Sequence, residues 1–262
     1  MNSSSFMQKK EKLVSLTKEQ ISDAVTIDTS IIQTLHAIDE LTSTLNTLSK
    51  RLRDWYGYTF PELENAVSDH ETFVRLVAQY CYDELMQKYS YGASMGKKPE
   101  AVDEEAQKSF ATHIASLFTL KQSLTHYLEL TLAKHCQNLV ALGGATITAR
   151  LLASAGSLRQ LALLPASTIQ LLGAEKALFR HLKTGAKSPK HGFIINHQLL
   201  QKSRAKERGK IARALADKLS LCAKIDYFRT QEDKDAQATS DEDLAGKVYL
   251  KQLEEKFLGA QQ

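Results

Sequence analysis

From Ile31 onward, apolar side chains recur at Ile31, Leu35, Ile38, Leu41, Leu45, Leu48, Leu52 and Trp55, in steps of 4, 3, 3, 4, 3, 4 and 3. Alternating threes and fours keep one stripe in line along an α-helix, which turns once every 3.6 residues. A strand cannot use that spacing, because its faces alternate at every second residue. A second run, Phe110, Ile114, Leu117, Leu120, Leu124 and Tyr127, repeats the pattern with steps of 4, 3, 3, 4 and 3. Two such helices can bury their stripes against each other as an antiparallel hairpin. The spacing leaves open whether they form a coiled-coil arm for self-association or an ordinary helical core. Between them lie turn signals at Phe60-Pro61 and from Gly92 to Pro99, and Asp69 to Tyr89 reads as a further helix.

The rest of the chain agrees with an all-α fold. Only four prolines occur, at 61, 99, 165 and 189, so long stretches rich in Leu, Ala, Lys, Glu and Gln run unbroken. Phe193-Ile194-Ile195 comes closest to a strand and is short. No apolar run reaches the roughly 18 residues that span a bilayer, so no membrane is expected as a partner. The start, Met1 to Phe6, has no basic segment followed by an apolar one, as a secretory signal would. Three widely spaced cysteines, Cys81, Cys136 and Cys222, form no CxxC pair and fit free thiols in a reducing compartment. These features lead to the expectation of a cytoplasmic protein.

The 262 residues allow two modest domains or one elongated one. After Lys134 the texture changes. Leu139 to Ser154 is full of Ala, Gly, Thr and Ser, small residues that let helices approach closely inside a compact bundle. Gly156 is a predicted helix stop, and Pro165 opens another helix. The predicted organisation is a short N-terminal extension (1–26), a coiled-coil arm (27–134), a compact helical domain (135–229) and a tail (230–262). The tail is acidic at first, at Glu232, Asp233, Asp235, Asp241, Glu242 and Asp243, and ends in an amphipathic piece around Val248 to Leu253.

Charge is unevenly spread. Gly173 to Arg229 holds 14 Lys/Arg against 4 Asp/Glu, a net of +10, and the remainder carries a net of −6. A basic module joined to a mildly acidic one suits a polyanion partner, although charge alone fits a solvated basic face equally well. Helical phase adds detail. With Leu171 to Lys183 as one helix, Lys176, Arg180 and Lys183 share a face, while Leu171, Ala174, Leu178 and Leu182 lie opposite, ready to pack. With Ala205 to Phe228 as another, Lys206, Lys210 and Arg213 share a face with Lys224 in line, and Ile211, Leu215, Leu219 and Cys222 lie opposite. Asp217 interrupts that basic stripe. Between the two helices, Thr184 to Gly192 combines flexible glycines with a stiff proline. It offers Lys187, Ser188, Pro189 and Lys190 to phosphates, and His191 as a stacking surface for an unpaired base. Each residue alone also fits ordinary surface. The eight histidines form no HxxxH or HExxH, Gly143-Gly144 is followed by no Gly-Lys-Ser/Thr, and no nucleophile or acid pair stands out. The expectation is therefore a binding protein with no metal, no cofactor and no enzymatic activity.

Several blocks closely resemble the Nop-domain family, the core proteins of box C/D guide ribonucleoproteins. They are Gly173-Ala-Glu-Lys-Ala-Leu-Phe-Arg180, Leu182-Lys183, Ser188-Pro-Lys190, Gly192 and Gly209-Lys-Ile-Ala-Arg213. Ala149-Arg150, Ala155 to Leu158, Pro165 to Thr168, Arg51 to Tyr56, Phe60 to Leu63 and Ala93 to Gly96 match as well, so the resemblance covers about residues 27 to 229. It implies a coiled-coil arm followed by a globular Nop domain. Such a domain recognises a kink-turn (box C/D-type) RNA already held by a ribosomal-protein-like partner, while the arm self-associates. Carried over, it puts Lys176, Arg180 and Lys183 near the composite RNA–protein surface, Lys187 to His191 in the loop that meets the RNA stem, and Lys210 and Arg213 at further phosphates. Family members of archaeal and nucleolar type carry an N-terminal domain that docks the methyltransferase fibrillarin. Only about 26 residues precede the arm here, so the resemblance implies a reduced member with fibrillarin a doubtful partner, and the missing lysine-rich C-terminal tail of eukaryotic nucleolar members points to an archaeal-like one. The alternative is an interaction protein that dimerises with a full-length Nop paralogue and modulates assembly.

Overall fold

The apolar stripes do become helices, and their burial defines where the chain folds. The computed structural model describes residues 3–89, 93–229 and 244–257, among which no strand forms. In order these are α1 (Ser3–Ala24), α2 (Ile27–Tyr56), α3 (Pro61–Ala66), α4 (His70–Gln79), α5 (Tyr82–Lys88), α6 (Ala101–His135), α7 (Gln137–Gly143), α8 (Ala145–Ala155), α9 (Leu158–Leu163), α10 (Ala166–Leu171) and α11 (Glu175–Thr184). A 3₁₀ turn (Phe193–Asn196) follows, then α12 (Gln198–Lys202), α13 (Arg208–Phe228) and α14 (Ala245–Phe257). No single helix among them is long and apolar enough to cross a membrane. The chain divides into two compact units, one of residues 36–127 and one of residues 1–35 with 128–262. The acidic residues at 232–243 and Gly92 lie outside the described residues.

In the first of these units, Leu45 and Leu52 of α2 join Phe60, Phe73, Leu85 and Ile114 in one core. Trp55 meets Phe110 with ring centroids 6.3 Å apart, and Gln107 donates to the Thr59 hydroxyl at 3.2 Å. Rising numbers at the end of α2 and just past it thus meet falling numbers on α6, as in an antiparallel pair. The second apolar run is less buried than its spacing predicts: Leu120 and Tyr127 are 46% and 48% exposed. Asp69 to Tyr89 is two helices, not one. Asp69 caps α4, accepting from the Thr72 backbone N–H at 2.8 Å. The chain then breaks at Tyr80-Cys81, where Glu104 of α6 accepts from the Tyr82 N–H at 2.7 Å and Glu84 from the Cys81 N–H at 2.8 Å. Arg53 is buried and fastens the α3–α4 link. It donates to the carbonyls of Val67 (2.7 Å) and Asp69 (3.0 Å), with its guanidinium 4.4 Å from the Phe73 ring centre.

In the other unit, α13 is the central element, packed against α7, α9, α10, α12 and α14. Its apolar side, Ile211, Leu215, Leu219 and Cys222, is fully buried as the phase predicts, and burial pushes the Cys222 thiol up to about 12. Leu139, Leu142, Ala149, Leu151 and Leu152 of the small-residue segment are buried too. Gly156 ends α8 with φ +87, a left-handed conformation that costs glycine nothing.

A single carboxylate organises this unit. Asp226 of α13, 2% exposed, accepts from the backbone N–H groups of Asn138 (3.1 Å) and Leu139 (2.9 Å) and from the Asn138 side-chain amide (2.7 Å). These N–H groups belong to the first turn of α7, which has no intrahelical partners for them. The carboxylate also faces the positive end of the α7 dipole. Burial pushes its pKa up, and these bonds together with the charge of Arg229 oppose that push. Asn138 passes the link on, its Oδ1 accepting from the Gly246 N–H of α14 at 3.2 Å. Gly246 must be glycine, since a Cβ there would sit 2.2 Å from the Asn138 carbonyl oxygen.

Asp226→Ala would strand these donors in the core and is expected to cost roughly 3 kcal/mol. A urea titration checks this, with a lower midpoint and an unchanged slope expected. A second buried carboxylate gives a pH signature. Asp28 of α2 sits 2.7 Å from His135 Nε2 and accepts from the Leu158 N–H at 3.0 Å. Burial pushes its pKa up, but the His135 hydrogen bond, the Leu158 N–H and the His135 charge together hold it below the usual value. A depressed carboxylate stabilises the fold above its unfolded pKa and loses that contribution as pH falls through its folded value. Asp28→Asn is therefore expected to be less stable than the parent at neutral pH, by roughly 1–2 kcal/mol, and the gap should close in unfolding curves taken below about pH 4.

Candidate nucleic-acid interface

The predicted site residues fall on α11, on the loop after it and on α13. Helix α11 starts at Glu175. Leu171 belongs to α10, and Gly173 turns the chain between them at φ +87, with its N–H donating to Glu175 Oε1 at 2.6 Å. Lys176, Arg180 and Lys183 are all exposed, as the phase predicts. The opposite side departs from expectation. No residue of α11 is buried, and Phe179 and Leu182 are 67% and 74% exposed. A ten-residue helix presents both its cations and its apolar side chains to solvent. Its C-terminus is closed by Gly185 in the left-handed region (φ +68), whose N–H donates to the His181 carbonyl at 2.9 Å, while the His181 ring pairs with the Ala186 carbonyl.

The loop is held from both sides. Gln170 of α10 donates its amide to the Lys190 carbonyl at 2.7 Å, and its own carbonyl accepts from the Gly192 N–H at 2.9 Å. The Phe193 N–H donates to the Leu172 carbonyl at 2.8 Å. The approach is so close that a Cβ on Gly192 would lie 1.8 Å from the Leu172 carbonyl oxygen, and one on Gly173 would lie 2.7 Å from the Phe193 ring. Phe193-Ile194-Ile195 is thereby wound into the 3₁₀ turn and makes no strand. Lys187, Ser188 and Lys190 are exposed, whereas Pro189 and His191 are half-buried.

On α13, Lys210 and Arg213 are exposed one turn apart, with Lys224 exposed further along. The helix begins at Arg208, so Lys206 is an exposed residue of the preceding turn and does not share its face. The start of α13 meets the loop, since the Lys190 stem passes 3.6 Å from where a Gly209 Cβ would stand. Burial pushes the His191 imidazole down, partly opposed by a backbone hydrogen bond, and the charges of Arg208 and Lys190 push it further. A neutral ring at the foot of a cationic loop is suited to stacking. The structure therefore brings Lys190 and His191 to the start of α13, sets Lys210 and Arg213 beside the Gln170 that holds the loop, and leaves Lys176, Arg180 and Lys183 on the helix that enters it. Arg208 and Gln170 were missed by the sequence reading. Arg208 was visible only as one of many charges, and the role of Gln170 is a contact across 20 residues of chain. Among the described residues, no group of three or more His, Cys, Asp or Glu is placed to hold a metal.

The structure is that of an all-helical protein with exposed cations around a pinned Gly- and Pro-bearing loop. The family model for Nop, described as snoRNA binding domain, fibrillarin, matches residues 37–257, and the chain belongs to this family. It is 43% identical over 229 residues to an uncharacterized NOP5 family protein of Methanocaldococcus jannaschii, covering 81% of this chain and 55% of that one. It is 40% identical over 223 residues to nucleolar protein 56 of Mus musculus (77% and 38% covered), and 36% identical over 223 residues to nucleolar protein 58 of Scheffersomyces stipitis (79% and 43%). The chain thus spans about half the length of these relatives or less. The fold is shared with a crystal structure of a fibrillarin/Nop5p complex, at a TM-score of 0.51 and 24% identity, covering 93% of this chain and 80% of that one. Two expectations change. The eukaryotic relatives are named nucleolar proteins, which overturns the cytoplasmic location. The doubt about fibrillarin has no support, since the family description itself includes it.

Gly192→Ala is expected to dislodge the loop. The 1.8 Å approach to the Leu172 carbonyl leaves no room for a methyl group, and overpacking against backbone costs about 2 kcal/mol or more. Thermal unfolding checks this, with a clear fall in Tm expected. An unchanged Tm would show that the loop is not held as described.

Proposed function

We propose that this chain is a non-enzymatic ribonucleoprotein scaffold that binds a kink-turn (box C/D-type) RNA together with a ribosomal-protein-like partner. In this reading residues 27–134 form the self-associating arm, 135–229 the RNP-binding domain and 230–262 a tail. The observation that carries it is the pairing of a rigidly held cationic loop with a helix, α11, that has no buried residue. A short helix is marginal by itself. Exposed cations with Phe179 and Leu182 exposed beside them suit a composite surface in which phosphates meet the cations and a protein covers the apolar side chains. RNA contacts are assigned to Lys176, Arg180, Lys183, Lys187, Ser188, Pro189, Lys190, His191, Lys206, Lys210 and Arg213. Fibrillarin stays among the candidate partners.

The alternative, a chain that pairs with a full-length paralogue through the arm, is favoured by one observation. Leu120 and Tyr127 stand exposed seven residues apart on α6, two turns along one face. Co-purification separates the two readings, because the alternative requires mixed dimers.

In a gel shift, kink-turn RNA with the partner bound is expected to shift further on adding this chain, whereas RNA without the partner should bind weakly. Lys176→Ala with Arg180→Ala should weaken the ternary complex and lower the slope of log affinity against log salt by about one unit per lost phosphate contact. An unchanged slope would assign these cations to solvent.

A further inference from the structure

Beyond the loop, an open groove of about 560 Å³ lies between α10, α13 and α14. Its size falls within the roughly 300–1,000 Å³ typical of ligand clefts. Ala166, Ser167 and Gln170 come from α10. Lys210, Arg213, Ala214 and Asp217 come from α13, and Lys256 and Phe257 from the end of α14. Three features make this more than a surface crease. Two of its lining residues, Ala166 and Ala214, bring only a methyl group and so leave room between the longer side chains. Its rim carries three cations against one carboxylate, and Lys210, Arg213 and Lys256 form no ion pair among the described residues. One end is an aromatic ring, with the Lys256 ammonium 5.5 Å from the centre of the Phe257 ring.

Helix α14 holds that ring in place. Leu253 is buried, Gly246 is seated on Asn138, and the Lys218 ammonium lies 4.5 Å from the Tyr249 ring centre, tying α13 to α14. Gln170 links the groove to the loop, because the residue that lines the groove also holds the Lys190 carbonyl at 2.7 Å. The cations of the loop and those of the groove therefore form one path.

We infer that this groove seats an unpaired nucleotide of the bound RNA, its base stacked on Phe257 and its phosphate held by Lys210, Arg213 and Lys256. The inference rests on the RNA-scaffold reading above and adds to it a single-stranded subsite next to the loop. Base–aromatic stacking with flanking cations is how single strands are held without much sequence preference. Asp217, Ser167 and Gln170 stand where a base edge would reach. The Asp217 carboxylate can only accept a hydrogen bond, which suits a base bearing an amino group, such as adenine.

The test uses the full chain with its partner and two kink-turn RNAs, one blunt and one with a single-stranded tail of adenosines. The parent chain is expected to bind the tailed RNA about tenfold more tightly, in line with the stacking of one base. Phe257→Ala should bring the two affinities together without changing the blunt one, and Phe257→Trp should keep the preference. Lys256→Glu, on an exposed side chain that folding does not need, should reduce the preference as well. Equal affinity for both RNAs in the parent, or a preference that survives Phe257→Ala, overturns the inference and leaves the scaffold reading standing. Failure of both RNAs to bind overturns the two together. A parallel titration with adenosine monophosphate distinguishes the source of the ligand. Tight, Phe257-dependent binding of the mononucleotide with no gain from the tail would assign the groove to a free nucleotide and overturn the RNA seat.

Discussion

The buried carboxylate of Asp226 is the constraint on which the unit of residues 1–35 with 128–262 rests. A charge in a protein interior is costly unless every lone pair finds a donor, and here the donors are the first N–H groups of α7 and the amide of Asn138. A seven-residue helix has little stability of its own, so the carboxylate and helix α7 support each other. Asn138 then fixes Gly246, and with it α14. Because α13 supplies the carboxylate on one side and Lys210 and Arg213 on another, the depth at which Asp226 is buried also sets where the cationic rim stands. Core and surface are two faces of one helix.

The parts of the fold that were legible in the sequence were those governed by local periodicity. The two long apolar runs became α2 and α6, the inner face of α13 was buried residue for residue, and Gly156 ended a helix in the left-handed region. Periodicity failed where the outcome depended on distant residues. Asp69 to Tyr89 has the phase of one helix, but Glu104 captures the Tyr82 N–H and the helix divides there. Helix α11 has a clear amphipathic phase, yet none of its residues is buried. Phase tells which side chains share a side and is silent on whether another element will cover them.

The same distinction governs the site. That cations crowd Gly173 to Arg229 could be counted from the sequence, and helical phase separated two groups of them. The rigidity of the loop could not be read, because it depends on Gln170, on the Leu172 carbonyl and on contacts made possible by the missing Cβ atoms of Gly173 and Gly192. Lys206 was misplaced because the helix starts at Arg208 and not at Ala205, a shift of three residues that moves a side chain off the shared face. Lys256 and Phe257 were beyond local reasoning altogether, since a long acidic stretch separates them from the basic segment they approach.

The sequence separation of the contacts has a consequence for how the molecule comes into being. Asp28 waits for Leu158, 130 residues later, and Asn138 waits for Gly246, 108 residues later. The contacts of residues 36–127 are nearer along the chain: Arg53 reaches Val67 and Asp69 within 16 positions. During synthesis the unit of residues 36–127 can close while later residues are still being added. The unit of residues 1–35 with 128–262 stays incomplete until α14 emerges, because loop closure over such distances is slow and brings no reward until both ends are present. The surroundings of α13, which carries Lys210 and Arg213, are thus complete only once Gly246 has been made.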